Sequence, residues 1–430
     1  MFPAARPGHT AVMSTALNLL SRPGAKPLIA SGLVGRLPMG MVGLGVTLLV
    51  VGSTGSYTLA GTLSATTTLA MAIVGPYGAR FADRYGQARS IPALLAVNIT
   101  AMLLLAAAVS LGWPVALWYL LAAVAGASTP SLGAMTRARW VRIARSGQER
   151  STAFALESVA DELSFVVGPV IASALALAFF PAAPVLFGLL MALVGGLTLA
   201  MQRRTEPVPG RRLPGSGTRA ATGHVLQFAG IAPLWVVLVA LGAMFGSLNV
   251  ATVAYAEAVN PALTGVLLGS LSFGSLVSGV VLGLVPRRWS LVNQVRTAVV
   301  TLALALAPLA FLDLPWAYAA VSFLAGLSVS TVMIGVFGLI ERMVPNARIT
   351  EAIAFVGSGL ALGMAGGVAA AGWIIDTFGE SVALGLAAVF ATAAATIFWL
   401  NSGRVARVEA GADAADARAQ AAGPPLPVPA

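Results

Sequence analysis

The residues able to do chemistry in this chain are few, and the most informative ones sit where charge is expensive. Glu157, Asp161 and Glu162 fall inside the apolar stretch 152–179, roughly two to four helical turns past Arg150. Glu157, Asp161, Ser164 and Gly168 follow the i, i+4, i+7, i+11 spacing that places them on one helix face; Glu162 is rotated about 100° from Asp161. Carboxylates at that depth in an apolar helix are costly unless paired, hydrated or protonated. The first apolar stretch holds one basic residue, Arg36, in Leu33-Val34-Gly35-Arg36-Leu37-Pro38. One arginine against three acids offers a buried ion pair and leaves a carboxylate free to exchange protons, Asp161 being the first choice and Glu162 the second. The same residues would also serve as a purely structural ion cluster joining two helices.

No other constellation competes. Cysteine is absent, which removes a disulfide framework, a thiolate metal site and a cysteine nucleophile. Both histidines, His9 and His224, lie in polar stretches, and no phosphate loop of the Gly-x-x-x-x-Gly-Lys-Ser/Thr type occurs. The sequence predicts no enzyme activity, no metal site and no cofactor.

The elements that must hold these charges are legible from composition. Hydrophobic residues make up 58% of the chain and charged residues 9%, against about 45–50% and about 25% in an average soluble domain. A bilayer core about 30 Å thick needs about 20 apolar residues per crossing helix. Such stretches recur at 28–51, 57–79, 91–111, 115–136, 152–179, 183–201, 231–257, 262–285, 297–312, 316–340, 351–375 and 381–401. The fold class expected is an all-α polytopic membrane protein with twelve transmembrane helices in two groups of six.

The charges give the sides. With both termini inside, the inward segments take 24 of the 25 basic residues, Arg36 being the exception. The outward loops and their edges carry only Glu257, Asp313, Asp376 and Glu380. Lys/Arg asymmetry in short loops sets orientation. The formal charge of +10 therefore reads as topology, and no nucleic-acid partner is expected. The chain divides into a cytoplasmic N-terminal segment (1–27, with a short interfacial helix at 10–20), a bundle at 28–201, a Pro/Gly/Arg linker at 202–230, a second bundle at 231–401 and a tail at 402–430. The tail composition predicts disorder. Ala125-Gly126-Ala127-Ser128 matches Ala325-Gly326-Leu327-Ser328 at an offset of 200, which Arg142 and Arg342 share; this points to two related halves.

Two motifs carry a family resemblance. Gly78-Ala79-Arg80-Phe81-Ala82-Asp83-Arg84-Tyr85-Gly86-Gln87-Ala88-Arg89 resembles the signature loop of the major facilitator superfamily, Gly-x-Leu-Ala-Asp-Arg-x-Gly-Arg-Arg. Asp83, Arg84 and Gly86 fall in place; Ala79 takes the leading glycine's slot, and Gln87 and Ala88 stand where two arginines would. The loop suits conformational gating, Asp83 meeting a helix N-terminus or a neighbouring arginine. In the fifth helix, Gly168-Pro169 resembles the Gly-Pro motif of the family's drug:proton antiporters and allows a bend against a neighbour, or a packing kink alone. An arginine that many proton-coupled members carry in the fourth helix is replaced here by Ala122.

The resemblance implies two six-helix bundles around a central cavity, alternating access, and proton-coupled efflux of a small apolar or amphipathic molecule. Uptake by proton symport, or a transport-inactive sensor on the same fold, are the alternatives. Asn98, Asn249 and Tyr255 are candidate cavity-lining groups or satisfied interhelical contacts. Glycines and serines at 265, 269, 272, 275, 279 and 283 line one face of the eighth helix, for packing or for sliding between halves. Arginine outnumbers lysine 24 to 1, which with the Ala/Gly richness points to a GC-rich bacterium and its inner membrane. The expected partners are a small-molecule substrate, protons and lipid, with the protein a monomer.

Overall fold

The computed structural model describes residues 18–207, 228, 230–284, 289–344 and 349–421. Among these residues the regular secondary structure is helical throughout. This is what a bilayer demands of a chain that must satisfy every backbone N–H and C=O internally. Twelve helices are long and apolar enough to cross a membrane: Ala25–Thr54, Tyr57–Tyr85, Gln87–Ser110, Val115–Ile143, Thr152–Ala178, Ala183–Met201, Ile231–Val259, Pro261–Leu282, Leu291–Phe311, Pro315–Met343, Phe355–Phe378 and Glu380–Gly411. Each coincides with an expected span. Residues 10–17 of the interfacial helix expected at 10–20, most of the linker and the last nine residues lie outside the described residues, and 18–20 are helical.

The differences are at the ends, and each has a local cause. The stretch Gly78–Arg89, expected as a loop, is helix except for Gly86. Gly86 ends the second span and starts the third at φ +88°, a backbone conformation open to glycine. The fourth span is not continuous to residue 136. It stops at Ala127, where Pro130 supplies no N–H to the turn behind it, and restarts as Leu132–Ile143. That restart places Arg137 and Arg139 inside a spanning element, so Arg36 is not alone there. The ninth span begins at Leu291, capped by Ser290. This draws in Arg296, expected in a loop, whose guanidinium lies 5.0 Å from the Trp399 ring centroid. The last helix continues to Ala421, well past the expected end at 401. The segment 402–421, expected to be disordered, is helical, and its Val405 and Glu409 are buried.

Six spans form each half. The first span packs on the fifth and sixth, and the seventh on the eleventh and twelfth. Both halves close their arginine-rich end with the same device. In the first, Glu206 accepts from the Ala88 N–H at 2.8 Å, capping the third span, and Arg142 donates to the Glu206 carbonyl. In the second, Glu409 accepts from the Leu291 N–H at 2.9 Å, capping the ninth span, and Arg342 pairs with it at 3.3 Å. An acid at the far end of a half's last helix, or just beyond it, thus caps that half's third helix.

The halves meet where the second span packs on the eleventh and the fifth on the eighth. Toward the arginine-poor end the packing is tight. Met41, Leu44, Ala172, Val253 and Leu268 form one buried cluster drawn from both halves. Toward the arginine-rich end the second span stands exposed at Met71, Tyr77, Phe81 and Tyr85. Gly75 there, and Gly357 on the eleventh span, have no neighbour within 4 Å of a Cβ position. Among the described residues the tight packing between halves lies toward the arginine-poor end.

Candidate functional site

The first, fourth and fifth spans converge on Arg36. Gly40 and Gly168 let the first and fifth helices touch backbone to backbone: a Cβ at Gly168 would lie 2.8 Å from the Gly40 backbone. One turn away, Arg36 is 1% exposed. Its Nη2 donates to Glu157 Oε2, to Thr136 Oγ1 and to the Gly133 carbonyl oxygen. Its Nε lies 3.0 Å from Asp161 Oδ1. Glu157 is buried, and its other oxygen accepts from Trp140 Nε1 at 2.7 Å. Asp161 is a quarter exposed and meets a second guanidinium, Arg137, at 2.6 Å.

Two cations therefore face two anions, and that group is neutral. Glu162 is left over. It points away from the cluster to the other half, where Ser275 Oγ of the eighth span donates to its Oε1 at 3.4 Å. Ser275 in turn shares a hydrogen bond of 2.8 Å with Ser330 of the tenth span. Among the described residues Glu162 has no basic partner. Asp161, the expected first choice, is held by two arginines; of the three acids, Glu162 is the one that reaches the other half, without a counter-charge among the described residues. Arg137 and Trp140 were not anticipated, because the stretch after residue 136 reads as a basic loop until the helix restart at Leu132 is seen to run on to Ile143. Thr136 and Trp140, at i and i+4, are the faint signal that was there.

The remaining candidates separate. Pro169 lies in the fifth span beside Gly168, and the eighth span packs on it: a Cβ at Gly265 would lie 2.7 Å from the Pro169 carbonyl oxygen. The small-residue face of the eighth helix therefore serves the contact between halves at Gly265 and Gly269, and contact within its own half at Gly279. Asp83 and Arg84 are exposed at the arginine-rich end. Asp83, expected to meet a helix N-terminus or an arginine, makes no hydrogen bond or ion pair among the described residues, which leave out 285–288 and 345–348. Gln87, read as a gap in the signature, is buried and accepts from Arg139 Nε at 2.7 Å. Arg139, fully buried, also donates to the Gln202 carbonyl and to Thr205, tying the fourth span to the chain after the sixth.

Asn98 is a satisfied interhelical contact, donating to the Ala125 carbonyl at 2.8 Å and to Thr129. Tyr255 stacks on Tyr318 at 4.8 Å inside the second half. Neither lines a space between halves. Asn249 is half-buried with no side-chain hydrogen bond among the described residues, one turn from Val253 of the cross-half cluster and on its open side.

The family model of the Major Facilitator Superfamily matches residues 28–322. The chain belongs to that superfamily. Its members' fold extends over nearly the whole chain. A nucleoside transporter, NupG, matches with a TM-score of 0.69 at 12% identity, covering 87% of this chain and 98% of its own. A bacterial homologue of the iron transporter ferroportin in its inward-facing state matches at 0.66 and 14% identity, covering 88% and 98%. The outward-facing state of a bacterial ferroportin homologue matches at 0.59 and 15% identity, covering 88% and 99%. At these identities the likeness is one of fold. No curated protein sequence matches the chain. The superfamily assignment makes the chain a multi-pass membrane transporter acting on a small molecule.

Proposed function

We propose that this transporter is proton-coupled and exports a small apolar or amphipathic organic molecule across a bacterial inner membrane, with both termini in the cytoplasm. On that sidedness the closed, arginine-poor end faces outward and the open end faces the cytoplasm. The nearer match to an inward-facing relative supports this assignment of state. The observation that carries the coupling is the charge count at the fifth span: Arg36 and Arg137 neutralise Glu157 and Asp161, and Glu162 remains, unpaired, at the seam between halves that must separate in each cycle.

The mechanism follows from that placement. A carboxylate's protonation state follows its surroundings. Rocking the halves apart at the eighth span would strip Ser275 from Glu162 and change its hydration. Glu162 therefore takes up a proton on one side and releases it on the other. Asp161 lies next to it in sequence, and its two arginines can respond to the change of charge by shifting between Asp161 and Glu162. Alternating access is rigid-body rocking about this seam. Asp83, Arg84 and Gly86 form the gate that closes the cytoplasmic end in the opposite state. Export follows the Gly168-Pro169 resemblance to antiporters.

The test uses proteoliposomes with an imposed pH gradient, an internal pH dye and a panel of small amphipathic solutes. Glu162→Gln is expected to abolish gradient-driven flux of both solute and protons while leaving solute-for-solute exchange, which moves no net proton. Full gradient-driven transport in Glu162→Gln, Asp161→Asn and Glu157→Gln alike would make the cluster structural.

A further inference from the structure

One carboxylate joins the two halves at the arginine-poor end. Asp376, near the end of the eleventh span, accepts from the Tyr57 N–H at 2.9 Å on Oδ1. Its Oδ2 accepts from the Thr58 N–H and from the Ser56 hydroxyl, each at 2.8 Å. Tyr57 and Thr58 open the second span, and their N–H groups are among those a helix cannot satisfy internally. The missing partner comes from the opposite half. Beside it the backbones close up, since a Cβ at Gly372 would lie 2.3 Å from the Tyr57 carbonyl oxygen and one at Gly61 would lie 2.5 Å from that of Val368.

The related junction between the fifth and eighth spans is built differently. There the eighth span's start is capped from its own half, by Asn260 Oδ1 accepting from the Ala262 N–H at 3.0 Å. The fifth span ends in Ala178-Phe179-Phe180, without an acid. Apolar packing and glycine contact are shared by both junctions; among the described residues, a carboxylate that caps a helix start of the opposite half is found only at the second–eleventh junction.

We propose that Asp376 is a latch on the outer gate: its carboxylate, seated on the positive end of the second helix, holds the arginine-poor ends together, and opening them requires water to take over its three donors. The site is exposed to solvent, so water can compete and the latch can release. The inference rests on the alternating-access reading and is independent of which acid carries the proton.

The chain's lack of cysteine makes the test direct. Ala172→Cys reports opening at this end, because Ala172 is buried between the halves with Met41, Leu44, Val253 and Leu268. Spin labels on Tyr85→Cys and Trp289→Cys, both exposed at the arginine-rich end and in opposite halves, report closure there. In the purified full chain, without substrate or gradient, Asp376→Asn and Asp376→Ala should raise labelling of the cysteine at 172 by roughly five- to tenfold, the shift expected from losing one helix cap. They should also move the 85–289 distance distribution to shorter values. Asp376→Glu should restore both readouts in part, and Ser56→Ala should move both in the same direction by less. A protein that was merely loosened would label faster without the distance shortening. If folded Asp376→Asn and Asp376→Ala leave both readouts unchanged, or label faster without that shortening, the latch is refuted; should neither fold, Ser56→Ala leaving both unmoved would refute it. Since no solute or proton flux is measured, either outcome leaves the coupling reading to its own test.

Discussion

A guanidinium shared between two carboxylates, as Arg36 is between Glu157 and Asp161, cannot be removed without stranding charge in a place that water does not reach. Breaking a buried pair from one side costs about 3–5 kcal/mol, and Glu157 is the more exposed to that loss because its other partners, Thr136 and Trp140, are neutral. Arg36→Ala should therefore lower the thermal unfolding temperature of the purified protein markedly. Arg36→Met combined with Glu157→Gln should recover much of the loss, because the second change removes the stranded charge. Asp161→Asn should cost less than Arg36→Ala, since Asp161 is partly hydrated and leaves Arg137 free to reach water. Equal destabilisation by all three variants would mean that the cluster acts through shape alone. Arg36 and the three acids were legible in the sequence for the reason that makes these variants informative: ionised groups in an apolar run stand out. Arg137 and Trp140 did not stand out, because a basic stretch beyond an apolar run looks the same whether it is a loop or the continuation of a helix. Asp376 was visible only as an outward charge, since nothing local to it indicates the second span.

At the level of elements, the spans were set by apolar length, and their crossings by glycine. The sequence shows where glycines are but not what they meet, so the Gly40–Gly168 contact could be read only as a possible bend at Pro169. In the structure it is a crossing so close that no side chain fits. Gly168→Val should force the first and fifth helices apart, costing on the order of 1–3 kcal/mol from overpacking, and should displace Arg36 from Asp161 along with them. Gly43, on the first span close to Gly40, has nothing within 4 Å of its Cβ position. Gly43→Ala should be neutral or stabilising by up to about 1 kcal/mol through helix propensity. Thermal unfolding of the two variants side by side checks the contrast; similar losses would show that helix flexibility, rather than contact, is what glycine supplies here. The helix ends were the least legible elements, because they are fixed by partners far away in sequence. Ala88 takes its cap from Glu206, and Leu291 takes its cap from Glu409, in a segment whose composition alone predicts disorder.

For the whole molecule, the decisive quantity is the placement of charge along the membrane normal. The structure puts Asp313, Asp376 and Glu380 at one end of the bundles, and Arg84, Arg142, Arg145 and Arg342 at the other, with Glu206 and Glu409 serving as caps among those arginines. Short Lys/Arg-rich segments are retained in the cytoplasm during insertion, which supports the proposed orientation with the arginine-rich end, the linker and both termini inside. On that orientation Ser53, exposed where the first span ends, is expected outside. Single cysteines at Ser53 and at Ser216 of the linker, in intact cells, should then react with a membrane-impermeant maleimide only at residue 53, and the residue 216 variant should react only once the membrane is opened. Inverted vesicles should give the reverse pattern. Labelling of both from the same side would overturn the orientation, and with it the assignment of the open end to the cytoplasm and of the Asp376 contact to the outer gate.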